Sequence, residues 1–380
     1  KNYWEERSRM SNIPKLRFPE FKGEWEEKKI IQFCEISAGG DIDKNNSQKE
    51  YSSSYPYSVY SNSLENKGLY GYANYYKIDS DVVTVTGRGD VGHAVARHEK
   101  FVPIVRLLVC KPKNNENVNF LENAINKTKI FIESTGVPQL TAPQLGNVKL
   151  FLPSLAEQQK IADFLSNVDS IITAETKILN TLQKKKKALM QKLFTRQLRF
   201  QSDDGTDFPA WEEKKVIDFA KVDTGANNTQ DKVEDGPYPF YVRSPIIYRS
   251  NKYIFDFPEA VLTVGDGVGT GKVFHYVQGK FDCHQRVYVI HDFENVLGKY
   301  FYFYFSEKFY ARVKPMSAKN SVDSVRREMI TDMKIPIPCK AEQQKIADCL
   351  SSLDSLIQTQ QKVVTTWQQR KKALLQQMFV

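Results

Sequence analysis

Residues 156–163 read AEQQKIAD, and the same eight letters return at residues 341–348. Residue 341 follows residue 156 by 185 positions, and this offset holds without a gap for the rest of the segment. A weaker match precedes each copy, because WEEKK stands at residues 25–29 and again at residues 211–215. The chain is therefore built twice from one plan, in which a variable region is followed by a nearly constant one.

The constant segments are predicted to be helices. Ser154 stands three residues before Glu157, which is the capping-box pattern that satisfies free amide donors at a helix N-terminus. In the second copy Cys339 replaces the capping serine, so we expect a weaker start there. A break near residues 166–169 would let Asp169 cap a second, longer helix.

Each constant segment carries one narrow apolar stripe with steps of seven and four residues, which is typical of a coiled-coil seam. We therefore expect the two copies to pack on each other, and the alternative is that each packs only on its own variable region. The basic runs at residues 184–187 and 370–372 are solvated helix faces, phosphate contacts or partner surfaces. The predicted positions for helix pairing and partner docking are Ile171, Ile178, Leu182, Leu189 and Leu193 in the first copy and Leu356, Val363, Trp367, Leu374 and Met378 in the second.

The variable regions differ in kind from the helices. They are rich in Tyr, Phe, Val, Ile, Gly and Asn, and turn clusters separate short strand-like runs such as residues 82–86 and 260–264. The predicted fold class is α+β, with two mixed α/β domains and two long coiled-coil helices related by a pseudo-two-fold internal repeat. The predicted boundaries are 1–20 for an N-terminal leader, 21–153 for the first domain, 154–200 for the first helical region, 201–338 for the second domain with its linker, and 339–380 for the second helical region.

The composition favours a partner of negative charge. The chain has 54 Lys and Arg against 45 Asp and Glu, a net charge of +9 and a pI near 9.0. Its five cysteines are odd in number and form no Cys-x-x-Cys pair, which argues against a zinc ribbon or a disulfide framework and favours a reducing compartment. Because no run of about 18 apolar residues occurs that could span a membrane, we expect a cytoplasmic protein.

Two glycine-rich stretches resemble nucleotide-binding motifs. Residues 87–92 fit the dinucleotide pattern G-x-G-x-x-G, but that motif needs a following helix, whereas His93 begins a strand-like alternation. Residues 265–272 fail as a phosphate loop, because Asp266 stands at the first glycine position and Val273 replaces the metal-binding Ser or Thr. We therefore predict a β-hairpin or a close-approach loop at both places.

Other catalytic signatures are missing together. No Pro-Pro dipeptide occurs, so the Asn-Pro-Pro-Tyr type of motif expected of an adenine methyltransferase is absent. The five His residues form no metal-ligand set, and neither a nucleophile elbow nor a carboxylate pair stands out. We expect a non-catalytic protein with no catalytic residue and no metal site, and a self-contained nuclease or modification enzyme is the alternative.

Both copies place a glycine loop beside basic residues, and glycine lets the backbone approach a ligand closely. Arg suits bidentate contact with guanine, and Asn or Gln suits adenine. For each candidate an ordinary solvated role is the alternative. The candidates for contact with DNA bases or phosphates are Arg88, His93, Arg97, Ser134, Thr135 and Gln139 in the first region and Arg243, Lys272, His284, Gln285, Arg286, Lys319 and Asn320 in the second.

The doubled order of variable region and Pro-x-x-x-Glu-Gln-Gln-Lys-Ile-Ala-Asp helix resembles the specificity subunits of Type I restriction-modification systems. The resemblance extends from about Leu16 to Val380 and rests on the motif at residues 152–169 and 337–354. It implies that each variable region is a target-recognition domain for one half of a bipartite DNA site. It also implies that the repeated helices form an antiparallel pair that docks methyltransferase subunits.

The same resemblance implies the partners and cofactors. The expected partners are double-stranded DNA, two modification (methyltransferase) subunits and two restriction (motor-nuclease) subunits, with no membrane. No cofactor is expected in this chain, whereas S-adenosylmethionine, ATP and Mg²⁺ are expected in the partner subunits. The alternative is a coiled-coil scaffold or decoy that engages modification subunits without sequence specificity of its own.

Overall fold

The structure is a computed structural model that describes residues 12–128, 130, 139–267, 269–317 and 324–380. Most of the predicted leader therefore lies outside the described residues. The same is true of four candidate DNA contacts, namely Ser134, Thr135, Lys319 and Asn320.

The chain forms two compact units that do not follow the order of the sequence. The first unit contains the chain up to Thr176 together with Lys362–Val380. The second unit is Lys177–Gln361. Each unit thus combines one variable region with parts of both constant segments.

The first variable region folds into small sheets in which most strand pairs are antiparallel. Its elements are β1 (Glu26–Lys29), α1 (Ile30–Phe33), β2 (Cys34–Ala38), β3 (Ser47–Gln48), β4 (Tyr57–Tyr60), β5 (Leu69–Ala73), β6 (Val82–Val85), β7 (Ala94–Arg97), β8 (Phe101–Pro103), β9 (Leu108–Pro112), α2 (Val118–Lys127), α3 (Ala142–Gly146) and β10 (Lys149–Leu152). Two sheets have the strand orders β2-β9-β6-β7 and β3-β5-β4-β8, and β1 pairs with β10 in a ribbon. The pairing of β4 with β8 is parallel.

The second variable region gathers its strands into one larger sheet. Its elements are β11 (Glu212–Lys215), β12 (Lys221–Thr224), β13 (Tyr238–Tyr241), β14 (Ile247–Ser250), β15 (Phe255–Val264), β16 (Phe274–Cys283), β17 (Val287–His291), α5 (Gly298–Ser317), α6 (Arg327–Thr331) and β18 (Lys334–Ile337). The order is β12-β17-β15-β16-β13-β14, and β11 pairs with β18 in a ribbon that matches the β1-β10 ribbon. The predicted mixed α/β architecture is confirmed in both regions.

The constant segments are two long helices, α4 (Leu155–Phe194) and α7 (Lys340–Met378). The predicted break near Asp169 is wrong, because this residue lies inside a continuous helix. Its carboxylate does not cap a helix start but accepts a hydrogen bond from Lys371 Nζ at 2.6 Å.

An arginine–glutamate ion pair anchors the start of each long helix. The predicted Ser154 cap is confirmed, since the Glu157 amide donates to its Oγ at 3.4 Å. The Glu157 carboxylate turns instead to Arg17, whose Nε and Nη2 each donate to it at 2.7 Å. In the second copy Arg199 donates to Glu342 at 3.0 and 2.7 Å. These bidentate ion pairs join each helix to the segment that precedes its variable region.

The two helices run antiparallel. In the first unit Asp169, from the first half of α4, pairs with Lys371, from the second half of α7. In the second unit Lys186, from the second half of α4, pairs with Asp354, from the first half of α7. The alternative in which each helix packs only on its own variable region is therefore wrong, and one lysine of each basic run serves the helix pair.

The positions that pack along the helices correct the sequence prediction by one residue at several places. Buried and half-buried side chains recur at steps of four and three residues, with one step of seven in each helix, which fits the heptad pattern of a coiled coil. They are Ile161, Leu165, Val168, Ile172, Leu179, Leu182, Lys186, Leu189 and Leu193 in α4 and Ile346, Leu350, Leu353, Ile357, Val364, Trp367, Lys371, Leu374 and Met378 in α7.

Three of the predicted seam positions face outward. Ile171, Ile178 and Leu356 are 36%, 48% and 55% exposed, because the apolar residue that follows each of them takes the seam position. Val363 is half-buried beside the fully packed Val364. The exposed residues remain candidates for partner docking, whereas their assignment to helix pairing does not hold.

Each unit buries the end of one long helix in an aromatic core. In the first unit Phe379, the residue after α7, stacks on Phe120 with ring centroids 5.2 Å apart and meets Trp25 edge-on at 6.1 Å. In the second unit Phe194, the last residue of α4, meets Tyr300 edge-on at 6.2 Å. Each variable region therefore packs the end of the helix that belongs to the other copy of the repeat.

Candidate nucleic-acid interface

The two glycine stretches are turns in which the backbone is tightly enclosed. A Cβ atom at Gly87 would lie 3.0 Å from the carbonyl oxygens of Arg106 and Leu140. A Cβ at Gly265 would lie 2.9 Å from the Arg286 carbonyl oxygen. Each turn connects antiparallel strands, β6 with β7 and β15 with β16, and no helix follows. The predicted close-approach hairpin is confirmed, and the dinucleotide reading fails.

A second turn lies against each glycine turn. In the first unit it contains Val105 and Arg106, with φ angles of 53° and 61°. These two amides donate to the carbonyl oxygens of Gly40 and Gly39 at 2.8 and 2.9 Å. A β-branched residue in the left-handed region is a strained conformation of the kind that clusters at functional sites.

A third segment completes each site. The Leu140 amide donates to the Gly87 carbonyl at 2.9 Å, and the Val325 amide donates to the Gly265 carbonyl at 2.7 Å. These bonds place Gln139 beside Arg88 and Ser324 beside Asp266 as isolated β-bridges. The first loop cluster comprises residues 62, 87–89, 105–106 and 139, and the second loop cluster comprises residues 243, 265–267, 285–286 and 324.

Strand pairing makes the two loop clusters equivalent position by position. Tyr60 pairs in parallel with Pro103 in the first unit, as Tyr241 does with Cys283 in the second. Counting from these pairs and from the enclosed glycines aligns the residues of the two clusters. The equivalent pairs are Asn62 and Arg243, Arg88 and Asp266, Arg106 and Arg286, and Gln139 and Ser324.

The first loop cluster presents two arginines on turns that a neutral side chain joins. Arg88 is half-buried and Arg106 is exposed. The Asn62 side chain joins the two turns, since its Oδ1 accepts from the Gly87 amide at 2.7 Å and its Nδ2 donates to the Val105 carbonyl at 2.6 Å. This amide fixes the turns without neutralising either guanidinium.

The second loop cluster contains a carboxylate between two arginines. Arg243 Nη1 lies 3.4 Å from Asp266 Oδ1, and Arg286 Nε lies 3.8 Å from Asp266 Oδ2. Nearby, burial and the positive charge of Arg243 hold the pKa of His284 below its usual value. The His284 Nδ1 accordingly accepts a hydrogen bond from the Arg286 amide at 2.9 Å.

A buried polar network lies under the second loop cluster. The fully buried Asp282 carboxylate accepts hydrogen bonds from Asn227 Nδ2 at 2.6 Å and Ser250 Oγ at 2.8 Å. The exposed Gln285 then donates to Asn228 Oδ1 at 2.7 Å. Because every partner in this network is bonded, the backbone around Gln285 is held in one geometry.

The remaining described candidates lie in different settings. Arg97 is only 4% exposed, donates to Thr84 Oγ1 at 3.1 Å and stacks on Tyr60, so its guanidinium is engaged inside the domain. His93 and Lys272 are exposed, the latter with Nζ 4.9 Å from the centre of the Tyr310 ring. The structure therefore brings Arg88 together with Gln139 and Arg243 with Gln285 and Arg286, but not Arg97.

Four polar residues of the loop clusters were missed in the sequence, namely Asn62, Arg106, Asp266 and Ser324. Arg106 stands in an apolar run that looks like a buried strand, and only the turn exposes it. In the sequence, Asp266 served only to exclude a phosphate-binding loop and was not considered as a polar group of a binding site. A signal for it was present, because both copies place a charged residue directly after the enclosed glycine.

A separate apolar groove lies between the long helices in the first unit. It has a volume of about 420 Å³ and an almost wholly apolar lining that includes Phe164, Ile171, Trp367 and Leu374, with Arg370 at its side. Phe164 and Ile171 are each 36% exposed. Exposed aromatic and aliphatic side chains in one groove suit contact with another protein.

Within the described ranges, no group of His, Cys, Asp and Glu is arranged to hold a metal ion. Among the helices of those same residues, none combines the length and apolar character needed to cross a membrane.

Two units built on one plan, each with its own polar side chains at equivalent positions, define a protein with two duplicated domains. The family model for the Type I restriction modification DNA specificity domain matches residues 22–184 and again residues 210–366. These two matches cover most of the chain and coincide with the two copies of the repeat. The chain therefore belongs to the Type I restriction-modification DNA specificity family.

Curated relatives carry the same description. A Mycoplasma pneumoniae sequence named as a type I specificity subunit is 33% identical over 141 residues, which are 36% of this chain and 39% of that protein. The MjaVIII specificity subunit of Methanocaldococcus jannaschii is 26% identical over 271 residues, 64% of each chain. A second M. jannaschii sequence, named as the MjaX specificity subunit, is 24% identical over 96% of this chain and 95% of its own. The chain thus spans less than two thirds of the first two relatives.

Solved structures share the fold. The S subunit of a Type I restriction-modification system from M. genitalium has a TM-score of 0.71 at 14% identity, covering 97% of this chain and 99% of its own. A chain from a structure on assembly and conformational transition of the type I system has a TM-score of 0.52 at 15% identity, covering 92% and 96%.

Proposed function

We propose that this chain is the DNA-reading subunit of a Type I restriction-modification complex, in which each unit reads one half of a bipartite site. The observation that carries the proposal is the pair of loop clusters, which occupy one equivalent position but carry different side chains. Two identical clusters would read one sequence twice, whereas different clusters suit two different half-sites. Specificity subunits of this family are generally non-catalytic, so the chemistry on DNA is assigned to partner subunits.

The side chains of the loop clusters suit contact with base edges. In the first cluster Arg88 and Arg106 offer forked donors for guanine or phosphate, and the Gln139 amide suits adenine. In the second cluster Arg243 and Arg286 offer the same forks, and Gln285 offers the amide. The net charge of +9 adds a sequence-independent attraction to phosphates, which salt weakens.

The repeated helices are assigned to partner docking. Because the constant segments are nearly identical, they present like surfaces to two like partners, which we take to be two modification subunits. In the first unit the groove around Phe164, Ile171 and Trp367 is the surface for this contact. Two restriction subunits would complete the complex. S-adenosylmethionine is placed in the modification subunits and ATP with Mg²⁺ in the restriction subunits, with no cofactor in this chain.

The proposal is tested by mapping adenine methylation, using long-read sequencing, in a host that expresses this chain with the modification subunit of its own source. The control host expresses the modification subunit alone. We expect a bipartite methylated motif that disappears in the control. If a soluble complex forms and no motif appears, the chain is a scaffold or decoy. The groove would then bind the partner subunit, and the loop clusters would not read DNA.

A further inference from the structure

The two loop clusters differ most at one position. The residue after the enclosed glycine is Arg88 in the first unit and Asp266 in the second, and both are fixed by a backbone bridge to the third segment. The charge at this equivalent position is therefore reversed between the two loop clusters. The reversal calls for an explanation, because a carboxylate near DNA repels phosphates.

The Asp266 side chain lies between two positively charged groups. Its side chain is 25% exposed and lies between Arg243 and Arg286, whose side chains are 46% and 66% exposed. The acid is thus the inner member of the group and the two guanidinium groups are the outer ones. In the first unit the position of Arg243 is taken by the neutral Asn62, and no carboxylate lies between Arg88 and Arg106 in the described salt bridges.

We propose that Asp266 is a positioning residue that holds Arg243 and Arg286 as a guanine-reading pair for the second half-site, an inference that rests on the proposed function. A guanidinium has five N–H donors in a fixed plane, so one side can bond to the carboxylate while another faces the O6 and N7 acceptors of guanine. Holding the side chain beforehand lowers the entropy lost on binding.

The same carboxylate limits contact with the wrong DNA. Two free arginines would attract any phosphate, whereas an inner negative charge lowers the local positive potential and thus binding that ignores sequence. Asp266 is therefore expected to raise discrimination in two ways, by orienting the base contact and by weakening the competing phosphate contact.

The test uses the full chain in complex with its modification subunits and a duplex that carries its mapped site. Each guanine of the half-site read by the second unit is replaced in turn by 7-deazaguanine, which lacks the N7 acceptor. In the natural protein we expect at least one replacement to weaken binding about tenfold. In Asp266→Asn most of this sensitivity is lost, while an unrelated duplex binds about twofold more tightly because a repelling charge is gone.

Matched variants separate positioning from damage to the fold. Asp256→Asn makes the same chemical change at an exposed residue of β15 and is expected to keep the 7-deazaguanine sensitivity. Arg286→Lys keeps the charge but lacks the planar fork, so it is expected to lose sensitivity with unchanged binding to the unrelated duplex. Adding Asp266→Asn to a chain that already carries both Arg243→Lys and Arg286→Lys should then cause little further loss of sensitivity.

Several results would overturn the inference while leaving bipartite recognition standing. They are a half-site with no 7-deazaguanine effect, an Asp266→Asn complex with natural sensitivity, and an Arg286→Lys complex with natural sensitivity. A fall in binding to both the mapped site and the unrelated duplex in Asp266→Asn would assign Asp266 to the fold instead. A natural complex without any sequence preference would defeat the proposed function as well.

Discussion

The long helices and the loop clusters are repeated under opposite constraints. Asp169 and Asp354 occupy matching positions of the two constant segments, and each pairs with a matching lysine of the other helix. In the loop clusters, by contrast, equivalent positions hold Arg88 and Asp266. Under the proposed function, this difference means that the helices keep one surface the same for a partner that does not change, whereas the loop clusters vary for two targets that differ.

The largest effects are expected along the long helices, where a buried and an exposed position can be changed at equivalent places in both copies. Leu165→Ala and Leu350→Ala remove fully buried side chains at equivalent places and are each expected to lower the free energy of unfolding by about 3 kcal/mol. Ile171→Ala and Leu356→Ala remove exposed side chains and should change it by less than about 0.5 kcal/mol.

Chemical denaturation measures these changes, and size-exclusion chromatography with modification subunits measures docking. Ile171→Ala and Leu356→Ala should weaken the complex although the chain stays as stable as the natural protein. If both variants assemble normally with modification subunits, Ile171 and Leu356 do not belong to the docking surface.

The ion pairs at the helix starts offer a smaller test of how alike the two copies are. Arg17→Ala leaves the buried Glu157 carboxylate without its described partner, which is expected to cost about 3 kcal/mol. Arg199→Ala should cost about 1 kcal/mol less, because Glu342 keeps a hydrogen bond from Trp211 Nε1 at 2.8 Å. Hydrogen exchange of each unit reports the two losses separately, and equal losses would show that the tryptophan bond contributes nothing.

The smallest expected effect concerns a single base contact. Arg88→Ala removes one forked donor from the first loop cluster and should weaken binding of the mapped site by about 1–2 kcal/mol. The preference should relax in the half-site of the first unit alone, and Arg286→Ala should act in the same way on the other half. Competition binding with single-base variants of the site measures both, and relaxation of both halves by one variant would break the assignment of one unit to one half-site.

Much of the fold could be predicted because the helical segments repeat at a fixed offset and local patterns mark their starts and the turns. The helical segments, the Ser154 cap and the hairpins at the glycine stretches follow from local patterns, and the structure has them. The predicted seam was one residue away from the observed seam at Ile171 and Ile178. Each of them is followed by another apolar residue, and spacing alone does not show which of the two neighbours is buried. Only packing against the second helix decides which of the two is buried.

The candidate site was harder to predict, since it is assembled from segments far apart in sequence. Arg97 and Arg106 both follow strand-like runs, and nothing local shows that the first is buried under Tyr60 while the second is exposed in a strained turn. The role of Asp266 depends on its contacts with Arg243 and Arg286. Strand pairing in the sheet brings these residues together, and their spacing in the sequence does not show it.

The most direct test of the central claim is an exchange of residues 21–153 for the corresponding region of another family member, followed by methylation mapping in the same host. Separate units predict that one half of the bipartite motif changes to the donor's half while the other half stays as it was. A change in both halves, or in neither while methylation persists, would contradict the claim that each unit reads its own half-site.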